Sequence, residues 1–428
     1  DGSSRFGKEN KWANFPSVAL GWNIANEGFF ENSQLSETIN NLKLRGSWGL
    51  TGNSEIPVYN SLANLNEYNY VFNGGLVLGL ADGRLGNPDL KWESTTMTNI
   101  GLDASFFNDR LNLTLDYFYN QTEDLLLFVT IPSSLGFESI LKNSGSLENR
   151  GFEVGLDGYV INNENFKWNI SILRNKLLDL GDSTPFFSSS TSGHLGVDGS
   201  WVEAGNPIGV WRGYDYIGIF QSDAEIASNP SRSGDKPGYP QYRDVNGDGQ
   251  ITPDDYVITG DPNPDFTWGL NSTLNYKNFD MGIFFRGSQG FEVRNLQASE
   301  IGDGVQKINQ LANILTDSWT PSNTGASRPV IDGNRDFANS YRDSDYFIED
   351  GSFIRLQNIS LGYTIPNIQK YISRARVFVS GQNLFTITDY SGFDPEVNNR
   401  GQNNLNRGDD YDAYPRSRTL TLGVNLEF

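Results

Sequence analysis

The run Asp244-Val245-Asn246-Gly247-Asp248-Gly249-Gln250-Ile251-Thr252 is the sharpest chemical motif in the chain. Side-chain oxygens recur at Asp244, Asn246 and Asp248, every second residue, so they can converge on one hard cation. Gly249 supplies the sharp turn, and Gln250 offers its backbone carbonyl. The pattern is the first half of an EF-hand loop, D-x-N-x-D-G. At its closing position stands Asp255 rather than Glu, with Asp254 beside it. Five ligating residues, Asp244, Asn246, Asp248, Gln250 and Asp255, would hold a structural Ca²⁺ that stiffens a loop. A plain Asx/Gly turn is the competing reading, because Asp is shorter than Glu and no flanking helices are legible.

Other reactive combinations are sparse. Cysteine is absent and His194 is the only histidine, so thiolate chemistry is excluded and His-based catalysis or metal binding is poorly supported. Acidic pairs such as Asp343/Asp345 and Glu349/Asp350 read as solvated loop residues, because a glycosidase needs two carboxylates at a fixed separation in a cleft. The expectation is that the chain is not an enzyme. Trp201, Trp211, Tyr214, Tyr216, Tyr239, Tyr242 and Trp319 can stack on sugars, although packing of loops or of a partner is the commoner use. The formal net charge of −20 argues against nucleic acid, whose phosphates need clustered Lys and Arg.

The elements carrying these residues are strands. Among 428 residues, 13% are aromatic and 46 are glycine, while only 37% are apolar, a balance that favours β structure over a helical enzyme. Period-two alternation dominates. In 266–276, Phe266, Trp268, Leu270, Leu274 and Tyr276 oppose Thr267, Gly269, Asn271, Thr273 and Asn275. Leu111, Leu113, Leu115, Tyr117 and Tyr119 form another such face. Leu42, Leu44, Trp48 and Leu50 oppose Lys43, Arg45 and Ser47. The last residues set Leu420, Leu422, Val424, Leu426 and Phe428 against Thr421, Gly423, Asn425 and Glu427. A soluble sandwich also alternates. These strands are long for a sandwich, and their polar faces suit a wet lumen, so the expected fold is an all-β antiparallel transmembrane barrel. Strand-end Trp92, Trp168 and Trp268 read as interfacial girdle residues.

Eleven spans are expected, near 12–24, 41–50, 96–107, 110–120, 147–161, 165–178, 265–276, 279–289, 352–364, 374–386 and 417–428. Short turns at Asn108-Asp109, Asn162 to Asn165, Lys277-Asn278 and around Pro366 alternate with long connections. Those at 51–94, 121–146, 179–263, 287–351 and 387–416 are expected to be extracellular. A phase change after Gln357 predicts a bulge. Segment 207–220 breaks the up-down parity and is placed among the loops, and 295–318 has the spacing of a short helix. Single-chain bacterial barrels use even strand numbers, and large transporters have about 22 strands. The chain opens at Asp1 without Met, so the expectation is the C-terminal half of such a barrel, with a plug and the first half lying upstream.

Several segments resemble the SusC/RagA family of TonB-dependent transporters from Bacteroidota. They are Asp1-Gly2-Ser3-Ser4-Arg5-Phe6-Gly7, Leu42-Lys43-Leu44-Arg45-Gly46-Ser47-Trp48-Gly49, Asn87-Pro88-Asp89-Leu90-Lys91-Trp92-Glu93 and Asn149-Arg150-Gly151-Phe152-Glu153. Near the end, Phe353-Ile354-Arg355-Leu356-Gln357-Asn358 and Gly381-Gln382-Asn383-Leu384-Phe385 also match. The resemblance implies an outer-membrane location and energised import of a large nutrient, an oligosaccharide or a peptide. It further implies a SusD-like surface lipoprotein as partner, TonB acting on the plug, and pairing as a dimer of complexes. Two other readings remain: a barrel recruited as scaffold of a secretion or biogenesis complex, and a soluble Ca²⁺-dependent glycan-binding β protein.

Overall fold

A computed structural model describes residues 1–137, 139–178, 200–201, 205–302, 304, 308–333, 343–369, 372–397 and 407–428. His194 lies outside them. Eleven long strands share one antiparallel sheet and are numbered here in chain order. They are β1 (Ser17–Asn23), β2 (Ile39–Asn53), β3 (Glu93–Phe106), β4 (Leu111–Glu123), β5 (Ser146–Asn162) and β6 (Phe166–Leu178). Then follow β7 (Phe266–Tyr276), β8 (Phe279–Gln289), β9 (Phe353–Gln369), β10 (Ile372–Thr388) and β11 (Thr419–Glu427). Each pairs with its sequence neighbour, an up-and-down meander. All eleven expected spans are present.

The meander follows from its turns. Lys277-Asn278 forms a two-residue hairpin between Tyr276 and Phe279, with Lys277 at φ 53°. Asn108 and Asp109 both take positive φ, which their short polar side chains tolerate. Asn163 Oδ1 accepts from the backbone N–H groups of Asn165 and Phe166, an Asx turn that reverses the chain into β6. Pro366 is not a turn residue. β9 runs past it to Gln369, because an irregular register between Pro366 and Gln369 accommodates the missing N–H.

The sheet keeps its apolar side uncovered. Leu420 is 77% exposed and Leu422 is 80% exposed. Val18, Leu20, Leu44, Trp48, Ile100, Phe152, Leu361, Val379 and Ile387 are exposed on other strands. A sandwich would bury this face against a second sheet. Apolar side chains left in the open on strand after strand need a nonaqueous surrounding instead.

Most buried side chains lie in the connections, and two compact units divide the chain, one mainly Asp1–Leu156 and the other mainly Pro207–Phe428 with Asp157–Asn175. In the first, Phe6, Ile56, Leu90 and Leu141 form a core on which Trp92 packs. Trp92 meets Phe6 and Phe15 at 5.4 and 5.3 Å, so it is a loop-core residue rather than a girdle residue. Trp168 remains on the apolar side and donates to Ser272 Oγ at 2.9 Å. In the second unit Tyr214, Tyr242 and Ile251 make the core.

The segment at 207–220 supplies Val210–Gly213, which pairs with Ser200–Trp201 and Val257–Gly260, and Tyr216–Ile219, which pairs with Pro240–Tyr242. It lies in loop sheets, apart from the meander, as its parity required. Trp211, Tyr214, Tyr239, Tyr242 and Trp319 are buried in this packing, so they hold loops together. Residues 295–318 do not form one helix. Leu296–Gly302 and Ile314–Asp317 are separate short pieces.

Candidate functional site

The acidic loop brings its donors close together, and the backbone takes most of them. Asp244 Oδ1 and Oδ2 accept from Gly247 N at 2.6 Å and Gly249 N at 2.8 Å. Gly247 and Gly249 sit at φ 76° and 83°, where a side chain would be strained. Asn246 Oδ1 accepts from Asp248 N, and Asp248 Oδ1 accepts from Gln250 N. Asp255 is fully buried and accepts from Val245 N, Asn246 N and Thr252 N at 2.9, 3.3 and 2.8 Å. It also closes a capping box with Thr252 on the short helical turn Pro253–Asp255.

Burial pushes the Asp255 carboxyl up. The backbone donors, joined by a hydrogen bond with the Asp244 side chain, outweigh burial and hold it below the usual carboxylate range. The donors are all oxygens, which suits a hard cation. Even so, among the described residues no group of three or more His, Cys, Asp or Glu side chains is arranged to hold a metal ion.

The polar side of the sheet holds ion clusters that the alternation pattern located but did not identify. Arg45, Gly101 and Asp116 lie on one rung across β2, β3 and β4. The Arg45 guanidinium crosses Gly101 to reach Asp116 at 2.7 Å and takes Asp103 at 2.9 Å. A Cβ on Gly101 would stand 2.5 Å from the guanidinium carbon, so glycine is what lets the arginine lie across β3. The same device recurs where Arg376 reaches Asp280 at 2.5 Å over Gly362. The sequence signal was available: a charged residue at an inward position with glycine one strand away.

A third cluster surrounds a cavity of about 840 Å³ at the long-loop ends of β7, β8 and β9. Phe284, Phe291, Phe353, Arg286, Glu396 and Arg416 help to line it. The bulge expected after Gln357 is real: Phe284 pairs with Asn358 and Phe285 with Leu356, so Gln357 is the extra residue. Its Oε1 accepts from Arg286 Nε at 2.8 Å, which aims that guanidinium. Glu396 Oε2 receives Arg286 Nη2, Arg355 Nη1 at 2.8 Å and Arg416 Nε at 3.2 Å. Arg355 Nη2 donates to Asp394 at 2.6 Å. The approach of Arg355 Nη1 to Glu396 is an ion pair poorly aligned for hydrogen bonding, so that buried N–H is left without a hydrogen-bond partner.

Eleven antiparallel strands with an open apolar side, a polar and ionic opposite side, and short turns alternating with long connections are the pattern of an outer-membrane β-barrel. No helix among the described residues is long and apolar enough to cross a membrane. Residues 1–384 match the family described as "TonB dependent receptor-like, beta-barrel", and the chain belongs to that family. It is 39% identical over 441 residues to TonB-dependent receptor P3 of Formosa agariphila, covering 100% of this chain and 43% of the relative. It is 33% identical to TonB-dependent receptor SusC of Bacteroides thetaiotaomicron, covering 100% of this chain and 41% of that protein. Among solved structures, the RagAB peptide transporter superposes with a TM-score of 0.83 at 28% identity, covering 100% of this chain and 45% of that one. The chain thus spans somewhat under half the length of these relatives. They bear out the SusC/RagA-like resemblance and the outer-membrane location. The family is one of transporters and receptors, which agrees with the expectation of no enzymatic role.

Proposed function

We propose that the protein of which this chain forms part imports a large nutrient, an oligosaccharide or a peptide, across the outer membrane with energy delivered by TonB. A SusD-like surface lipoprotein is its partner, and pairs of such complexes associate as dimers. The observation that carries the reading is the inward face: three ion clusters, Ser, Thr and Asn rungs, and a cavity of about 840 Å³ at the loop end. That surface suits a polar cargo. The likeness to SusC and to the RagAB peptide transporter supports the partner and the energy source.

The test is to extract the native complex in mild detergent and identify every co-purifying polypeptide by mass spectrometry. A surface lipoprotein in stable stoichiometry supports the importer. Secretion or biogenesis subunits in its place favour the scaffold reading.

We further propose that Asp244, Asn246, Asp248, the Gln250 carbonyl and Asp255 take a structural Ca²⁺. Support comes from the all-oxygen donors at EF-hand spacing, with Asp244, Asn246 and Asp248 at every second residue. The ion would compete with the backbone N–H groups of Gly247 and Gly249 for Asp244. Calcium titration of the intact protein by calorimetry, repeated with Asp248→Ala, tests this. One site lost in the variant supports it. Identical titrations refute it.

A further inference from the structure

The chain carries a formal charge of −20, yet the cavity at the loop ends of β7 to β9 is cationic. Among the described residues, Arg286, Arg355 and Arg416 pair with Asp394 and Glu396 alone in this cluster, three positive charges against two negative. Glu396 Oε2 is shared by all three guanidiniums. Among the described residues, Arg286 Nη1 and both Nη atoms of Arg416 have no protein partner. Both residues line the cavity.

The donors are held in place before any ligand arrives. Gln357 and Glu396 fix Arg286. Thr386 and Asp394 fix the buried Arg355. The guanidinium carbons of Arg286 and Arg355 stand 5.7 and 5.4 Å from the centre of the Phe353 ring, which Phe291 meets edge-on at 6.3 Å. A fixed array of guanidinium donors beside aromatic surface is suited to carboxylate or sulfate oxygens, because the cost of ordering the donors has already been met. The volume admits a few sugar rings or a short peptide.

We propose that this cavity recognises an acidic group, carboxylate or sulfate, on the imported cargo. This rests on the import reading and narrows it to anionic cargo. The source of the acid is either a uronate or sulfate of a glycan or an acidic residue of a peptide.

The experiment uses the full-length protein with its co-purifying partner in detergent. Four probes are titrated calorimetrically: an oligouronate, a neutral oligosaccharide of equal length, an acidic pentapeptide and its amide-substituted neutral counterpart. One acidic probe is expected to bind at least about tenfold tighter than its neutral counterpart, with the preference shrinking as salt rises. The winning pair identifies the source. Arg416→Gln and Arg286→Gln should each remove most of that preference, and Arg416→Lys should keep part of it. Equal affinity for acidic and neutral probes in the wild type overturns the proposal, and this arm requires no variant to fold. Variants that weaken acidic and neutral probes alike also overturn it. Uptake that is TonB-dependent but blind to cargo charge sinks this inference alone. Binding of acid without TonB-dependent uptake sinks the import reading and leaves the cavity assignment standing.

Discussion

Replacing Asp255 by Ala removes a carboxylate that three backbone N–H groups share at 2.8 to 3.3 Å in a fully buried position. Hydrogen bonds to a charged group contribute about 1.5–3 kcal/mol each, and leaving the donors buried and unmet costs a similar amount. The three bonds share one acceptor group and the loop can relax, so simple addition overstates the loss. A local penalty of about 2–4 kcal/mol is expected, a factor of roughly 30 to 900 in the opening equilibrium. Amide hydrogen exchange of the intact protein reads this directly, since local opening sets protection. The amides of Val245, Asn246 and Thr252 should lose protection by that factor, whereas the strands β7 to β10 should not change.

Asp254→Ala is the internal control, because Asp254 is exposed and its carboxylate caps nothing. Equal loss of protection in both variants would refute the reasoning. The pH dependence has a fixed sign. A carboxyl whose folded pKa is depressed adds stability that is present above its unfolded value of about 3.9 and is lost as pH falls through the folded value. The gap between wild type and variant, corrected for intrinsic exchange, should therefore be full at pH 7 and shrink below about pH 4.

Three further outcomes follow from the strands. Arg45→Met leaves Asp103 and Asp116 facing each other without their counter-ion. Loss of one partner of a buried pair costs about 3–5 kcal/mol, discounted to about 1–3 here because the Arg45 and Asp103 side chains are each 31% exposed. Denaturant unfolding of the full-length barrel in vesicles should show that loss, and adding Asp103→Asn with Asp116→Asn should recover most of it. Gly362→Ala sets a methyl group 2.5 Å from Arg376 Nη2 and should cost about 1–3 kcal/mol in the same assay. No change would mean that Arg376 does not need to cross β9. Leu422→Arg on the open apolar side should cost roughly 2–4 kcal/mol in lipid, while Thr421→Arg on the inward side should cost little. Equal costs would contradict the assignment of faces.

The strands were legible because alternation is a local property that each segment states for itself. All eleven appear where the pattern put them, and even the bulge at Gln357 showed as a change of phase. The errors arose where tertiary packing decided. Trp92 looks like a strand-end girdle residue, yet Phe6 and Phe15, about eighty residues away in sequence, draw it into a loop core. Pro366 looks like a turn, yet an irregular register carries the strand beyond it. Residues 295–318 have helical spacing but yield two short pieces, the first ending at Gly302.

The acidic loop was found by its spacing. What spacing left hidden is that Asp255 already serves three backbone donors. The arginine clusters showed in the sequence as inward charges, but without their partners. Arg45 with Asp116, Arg376 with Asp280 and Arg286 with Glu396 are separated by 71, 96 and 110 residues, and register alone brings them together.

Uptake of labelled nutrient by cells carrying the intact protein, with and without functional TonB, tests the central claim most directly. Uptake should require both the protein and TonB and should be lost when the proton-motive force is collapsed. Uptake that persists undiminished without TonB, or a protein whose removal affects only the assembly of other outer-membrane complexes, would contradict it.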